Sequence, residues 1–141
     1  MTFAQVTWVS DMQFVGMADS GHAVALDAKK EGGGYGSGSS PMELLLMGVA
    51  GCTAMDVISI LKKKRQPVEG LKVLATGERN AEHPTYYTAI HIEFVATGAV
   101  EEAALARAIE LSQEKYCGAA ATVRGVAKLT TSYRIEPGPA R

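Results

Sequence analysis

The sequence predicts an α+β fold of one domain over residues 1–141, and three observations carry that expectation. Short apolar runs separated by turn residues fill the first third. A sharply capped, nearly all-apolar helix follows a glycine-rich loop. Two alternating stretches then precede a second helix and a last strand. Residues 4–9 are rich in Val, Thr and Trp, and residues 13–17 and 22–26 follow across Ser10-Asp11 and Asp19-Ser20-Gly21, the pattern of a three-stranded meander. Residues 31–40 carry Gly32, Gly33, Gly34, Gly36 and Gly38 and read as a flexible loop.

The helix begins abruptly. Ser40 suits the N-cap, Pro41 the first helical position, and Glu43 completes an S-x-x-E capping box. The helix should run through Cys52 toward Lys64. Residues 44–51 are apolar around nearly the whole circumference, which predicts burial on most sides. Lys62, Lys63, Lys64 and Arg65 crowd its C-terminal end, where cations favour the helix dipole, and Pro67 stops it. The apolar stretch over residues 44–55 is about twelve residues, against roughly 20 needed to span a bilayer, and reads as a core helix. Residues 71–77 and 87–96 alternate as strands, with Thr88, Ile90, Ile92 and Phe94 on one side of the second. A helix over residues 100–116 places Leu105, Ile109 and Ser112 on one face. Cys117-Gly118 interrupts it, residues 119–123 form another turn, residues 129–135 are the last strand, and Pro137-Gly138-Pro139 is a tail.

Composition excludes several function classes. Hydrophobic residues make up 47% and charged residues 21%, a globular balance. A net charge of −1 exerts no general pull toward nucleic acid or membrane, and the Lys62–Arg65 run reads as a solvated helix end. No basic segment followed by an apolar one opens the chain, so a cytoplasmic location is expected. The glycine-rich loop lacks the Gly-Lys-Ser/Thr of a P-loop and offers no G-x-G-x-x-G register. Cys52, Cys117, His22, His83 and His91 are not spaced as paired metal ligands, so neither metal nor cofactor is expected.

Cys52 and Cys117 remain. They are either small buried hydrophobes or a redox pair. Cys52 is flanked by Gly51 and Thr53, which leave room for another element to approach. Cys117 sits where a helix breaks, the position of a thiol facing a cleft. Two such thiols, about 65 residues apart, could meet across a helix–helix contact.

The stretch Ser40-Pro41-Met42-Glu43-Leu44-Leu45-Leu46-Met47-Gly48-Val49-Ala50-Gly51-Cys52 resembles the first cysteine motif of the OsmC/Ohr superfamily. Glu114-Lys115-Tyr116-Cys117-Gly118 resembles the second, and the segment from Gly51 to Lys63 is similar to the YhfA-like branch. The resemblance implies an OsmC-like fold in which antiparallel sheets wrap around two long central helices in an intertwined homodimer, with active sites at the dimer interface. It implies reduction of small organic hydroperoxides in oxidative or osmotic stress defence. Cys52 would be the peroxidatic thiol, Cys117 the resolving thiol, and a dithiol the reductant. The family's peroxidases place a glutamate directly after the proline, where Met42 stands here. Glu43 comes one residue later and is the remaining candidate for that catalytic role, although nine residues at about 100° each set it across the helix from Cys52. Their N-terminal strands carry an arginine, but this chain has none before Arg65, and Gly118 replaces a frequent proline. These departures keep a second expectation open: a non-catalytic member that binds an apolar small molecule or senses redox state at the dimer cleft.

Overall fold

A computed structural model describes residues 1–139. The chain forms two compact units, Met1–Leu45 and the remainder from Leu46, with the first helix running across the boundary.

The first unit holds β1 (Ala4–Ser10), β2 (Gln13–Ala18) and β3 (Ala23–Leu26), an antiparallel meander in the order β1-β2-β3. Trp8 lies opposite Phe14, and the register shifts between Trp8 and Ser10. Among the described residues of this unit, the one buried residue is not apolar but Asp27. Asp27 Oδ2 accepts the backbone N–H groups of Tyr35 and Ser37 and the Ser37 hydroxyl, at 3.1, 3.2 and 2.6 Å. Its Oδ1 accepts the Ala28 N–H at 2.7 Å. The glycine-rich segment is therefore wound around a carboxylate, which corrects the expectation of a flexible loop. The winding explains two of the glycines. A Cβ on Gly34 would lie 2.1 Å from the Ala28 carbonyl oxygen, and one on Gly38 would lie 2.6 Å from that of Ala25. The Ser37 hydroxyl, opposed by burial and joined by the three N–H groups, holds the Asp27 carboxyl below the usual aspartate range.

Helix α1 (Pro41–Lys63) starts on the expected cap: Ser40 Oγ accepts the Glu43 N–H at 3.2 Å and donates to the Glu43 carboxylate at 3.1 Å. It ends in a left-handed turn at Arg65, with Gln66 N–H reaching the Leu61 carbonyl and Arg65 N–H that of Lys62, a Schellman motif without the usual glycine. Its buried residues are Val49, Thr53, Val57 and Leu61, one stripe at four-residue spacing. Burial on most sides is thus corrected to burial on one. Leu45, Met47 and Met55 face outward, Met55 with 74% of its surface exposed. The helix is also longer than its apolar run. By length and composition its 23 residues are enough to cross a membrane, a test that the core helix of a soluble protein also passes.

The second sheet holds β4 (Val68–Arg79), β5 (Tyr87–Gly98) and β6 (Lys128–Glu136) in the order β4-β5-β6. β4 and β5 pair antiparallel, but β6 runs parallel to β5. The expected all-antiparallel pairing fails here for a simple reason. α2 (Glu102–Leu111), a π turn (Ser112–Tyr116) and α3 (Gly118–Val123) return the chain to the starting end of β5 before β6 forms. Ile90, Ile92 and Phe94 of β5, Leu105 of α2 and Val57 and Leu61 of α1 are fully buried and form the core of this unit.

Replacing Asp27 with Asn removes an acceptor from the loop. The variant should show faster proteolysis within residues 28–39 and a lower melting temperature. Because the folded-state pKa is depressed, this carboxylate's contribution is complete above the usual aspartate range and fades as pH falls through it toward the folded value. The Asn variant should lack that acid dependence, and equal protease resistance with an unchanged acid profile would refute this role.

Candidate functional site

Cys52 and Asp56 lie four residues apart on α1, so they share one face beside the buried Thr53. The opposite wall comes from the end of α2. There the helix widens: Cys117 N–H reaches back five residues to the Ser112 carbonyl at 2.7 Å, the hydrogen bond of a π turn. The backbone then extends at Cys117 and restarts as α3, whose Ala120 N–H is accepted by Cys117 Sγ at 3.3 Å.

These two elements bring the cysteines together. The sulfurs of Cys52 and Cys117 and one carboxylate oxygen of Asp56 all lie within 4.8 Å of one another. Both thiols are free; Cys117 is buried and Cys52 half-buried. Beneath them runs a hydrogen-bonded chain with a fixed direction. Ser112 Oγ donates to Asp56 Oδ2 at 2.8 Å. A hydroxyl has one proton, so in the 2.7 Å contact between Thr53 Oγ1 and Ser112 Oγ the donor must be Thr53. Thr53 in turn accepts from Gln113 Nε2 at 3.0 Å. The carbonyl of Gln113 accepts the Arg124 guanidinium, which ties α3 to the same turn. Thr53 and Ser112 are wholly buried and fully paired.

Burial pushes the Cys117 thiol up to about 11, outweighing the Ala120 N–H that favours the thiolate; the hydrogen bond to Cys52 and the charges of Cys52 and Asp56 add to the rise. Cys117 is therefore a protonated thiol at neutral pH.

The two cysteines expected as a pair are thus neighbours. Glu43 stands exposed in the first turn of α1 with its carboxylate on Ser40. Among the described residues no histidine belongs to the cluster; His91, on β5, bridges Thr130 and Ser132 of β6 at 2.8 Å each. Sequence reasoning did not place Thr53, Ser112 and Gln113 at the site. The one available signal was the C-T-x-x-D spacing of α1, which sets Cys52 and Asp56 on one face.

Comparison with known proteins agrees with this architecture. The family model described as OsmC-like protein matches residues 34–132. Protein YhfA of Escherichia coli K12 is 41% identical over 133 residues, covering 94% of this chain and 96% of that one. The crystal structure of a hypothetical protein from Aquifex aeolicus superposes with a TM-score of 0.87 at 35% identity, covering 99% and 98% of the two chains. An organic hydroperoxide resistance protein from Legionella pneumophila shares the fold at a TM-score of 0.68 and 16% identity, over 94% and 96% of the chains.

Removing the Ser112 hydroxyl leaves Asp56 and Thr53 short of a partner in a buried setting. Ser112→Ala should cost about 1–3 kcal/mol. Thr53→Val should cost a similar amount, and the double variant less than the sum of the two by at least roughly 0.5 kcal/mol, because both break one network. Denaturant melts of the four proteins measure the coupling, and additive losses would show that the hydroxyls act independently.

Proposed function

The chain belongs to the OsmC-like protein family, and from that premise we propose that it reduces organic hydroperoxides through Cys52 and Cys117. The observation that carries this reading is the 4.8 Å grouping of the two free sulfurs. Half-buried Cys52 is the thiol that peroxide can reach, and buried Cys117, held as a thiol, is the partner that waits. In the first step the Cys52 thiolate attacks the distal peroxide oxygen. An S–O bond forms, the O–O bond breaks, and the alcohol leaves with a proton, so that Cys52 becomes a sulfenic acid. The Cys117 sulfur then attacks the Cys52 sulfur; the S–S bond forms, the S–O bond breaks, and hydroxide leaves as water with the Cys117 proton. A dithiol reductant restores both thiols by exchange, which suits a reducing cytoplasm. The hydroperoxide-resistance name of the Legionella relative supports the substrate class. Glu43 we assign to the helix cap rather than to the chemistry, on its bond to Ser40.

The working form in this reading is a homodimer, with α1 and its copy as the two central helices. Two observations support it. The outward face of α1 is apolar, and the first unit has a carboxylate where a hydrophobic core would be, while Trp8, Val6 and Met17 of its sheet stay exposed. A three-stranded sheet without a buried face needs a covering partner. Light scattering should give the mass of two chains; the mass of one would overturn the dimer.

A second reading rests on a cavity of about 280 Å³ in the first unit, lined by Val6, Met12, Phe14, Leu26, Pro41, Asp27 and Ala28. Its apolar walls suit a small apolar ligand bound without chemistry.

Free-thiol counts before and after one equivalent of cumene hydroperoxide separate the two. Hydroperoxide reduction predicts rapid loss of two thiols per chain. Cys117→Ser should lose its one remaining thiol to sulfenic acid without forming the intrachain disulfide, and Cys52→Ser should not react. Both thiols surviving at micromolar peroxide would sink the proposal and leave the binding reading.

A further inference from the structure

Asp56 has no part in the disulfide chemistry above, yet it is the acceptor at the end of a directed hydrogen-bonded chain. Ser112 donates to one of its oxygens, Thr53 donates to Ser112, and Gln113 donates to Thr53. A carboxylate oriented in this way keeps lone pairs free, since it offers about four acceptor positions. Hydrogen bonds that fix a carboxylate behind a pair of thiols are the usual setting of a metal-binding carboxylate. We propose that Cys52, Cys117 and Asp56 of the reduced protein form a three-ligand site for one soft divalent cation of the zinc class.

The geometry suits the ion. Tetrahedral zinc with Zn–S near 2.3 Å and Zn–O near 2.1 Å sets its ligand atoms about 3.6–3.8 Å apart. The three atoms here lie within 4.8 Å of one another, so shifts of under about 1 Å close the site. Two sulfurs and one oxygen select zinc, cadmium or cobalt over magnesium or calcium, which take oxygen donors. The fourth position is left for water or a small ligand, on the side where Cys52 is half-exposed. Sequence spacing could not reveal this set, because two ligands are one helical turn apart on α1 and the third comes directly after the π turn.

Metal binding does not depend on the hydroperoxide reading, but it bears on it. Loading displaces the thiol protons and occupies both sulfurs, so metal and disulfide exclude each other. A metal-loaded chain should react slowly with peroxide. Oxidation, which takes two electrons from the sulfurs to turn the peroxide into alcohol and water, should release the ion.

Titration of the reduced full-length protein with Co²⁺, read by thiolate-to-cobalt charge-transfer absorption and followed by displacement with Zn²⁺, tests the site. The expected result is one ion per chain, with binding lost in Cys52→Ser, in Cys117→Ser and in the disulfide form. Affinity should fall at least tenfold in Asp56→Asn, with circular dichroism confirming that each variant is folded. Absence of a charge-transfer band in the wild-type protein overturns the proposal. So does unchanged affinity in folded Asp56→Asn, which would reduce the site to a bare dithiol. Failure to bind cobalt alongside peroxide-driven loss of two thiols would remove the metal site and leave the hydroperoxide reading standing; the reverse pattern would do the opposite.

Discussion

The hydroxyl pair Thr53–Ser112 sets the geometry on which the rest of the site depends. It is a buried contact between α1 and the turn that follows α2, two segments 59 residues apart in sequence. Because both hydroxyls are wholly buried, each must be paired, and the pairing fixes how far α1 is rotated and advanced against that turn. One residue before Thr53 stands Cys52, and five after Ser112 stands Cys117. The register of the hydroxyls therefore sets the separation of the sulfurs. The π turn serves the same end: a regular α-helical continuation would carry Cys117 onward around the axis, whereas the wider loop returns its N–H to Ser112 and hands the sulfur to α3.

The chain spends its apolar residues unusually. α1 presents Val49, Thr53, Val57 and Leu61 inward and leaves long aliphatic and Met side chains outside. The first unit organises its loop around the Asp27 carboxylate instead of a hydrophobic cluster. The hydrophobic effect is roughly proportional to the apolar area removed from water, so a helix exposing this much of it is left short of its available stabilisation. The homodimer proposed above would give each of these surfaces a cover.

Much of the fold was legible because its signals are local. The Ser40–Glu43 cap, the stop near Pro67, the strand pattern of Ile90, Ile92 and Phe94, and the break at Cys117-Gly118 each depend on residues within a few positions of one another. Three features were not legible because they are set by distant partners. Parallel pairing of β6 with β5 depends on where the helical crossover delivers the chain. The glycine-rich segment looked mobile because nothing in its own composition reveals that Asp27, just ahead of it, collects its N–H groups. Met42 and the missing N-terminal arginine pointed away from the usual activating groups, and the C-T-x-x-D spacing sets Asp56 on the Cys52 face, but the Ser112 hydroxyl that holds its carboxylate comes from a segment 56 residues away. OsmC-like membership and the pairing of the two cysteines were readable from the sequence; the hydroxyl chain of Thr53, Ser112 and Gln113 beneath them was not.

The proposed reaction requires Cys52 and Cys117 of one chain to form a working disulfide. Peptide mapping by mass spectrometry under non-reducing conditions, after treatment with one equivalent of an organic hydroperoxide, tests it most directly. Hydroperoxide reduction by this pair predicts a Cys52–Cys117 cross-linked peptide within a chain, absent from untreated protein and removed by a dithiol. Peroxide treatment that leaves both cysteines free, or that links Cys52 to Cys52 between chains, would contradict it.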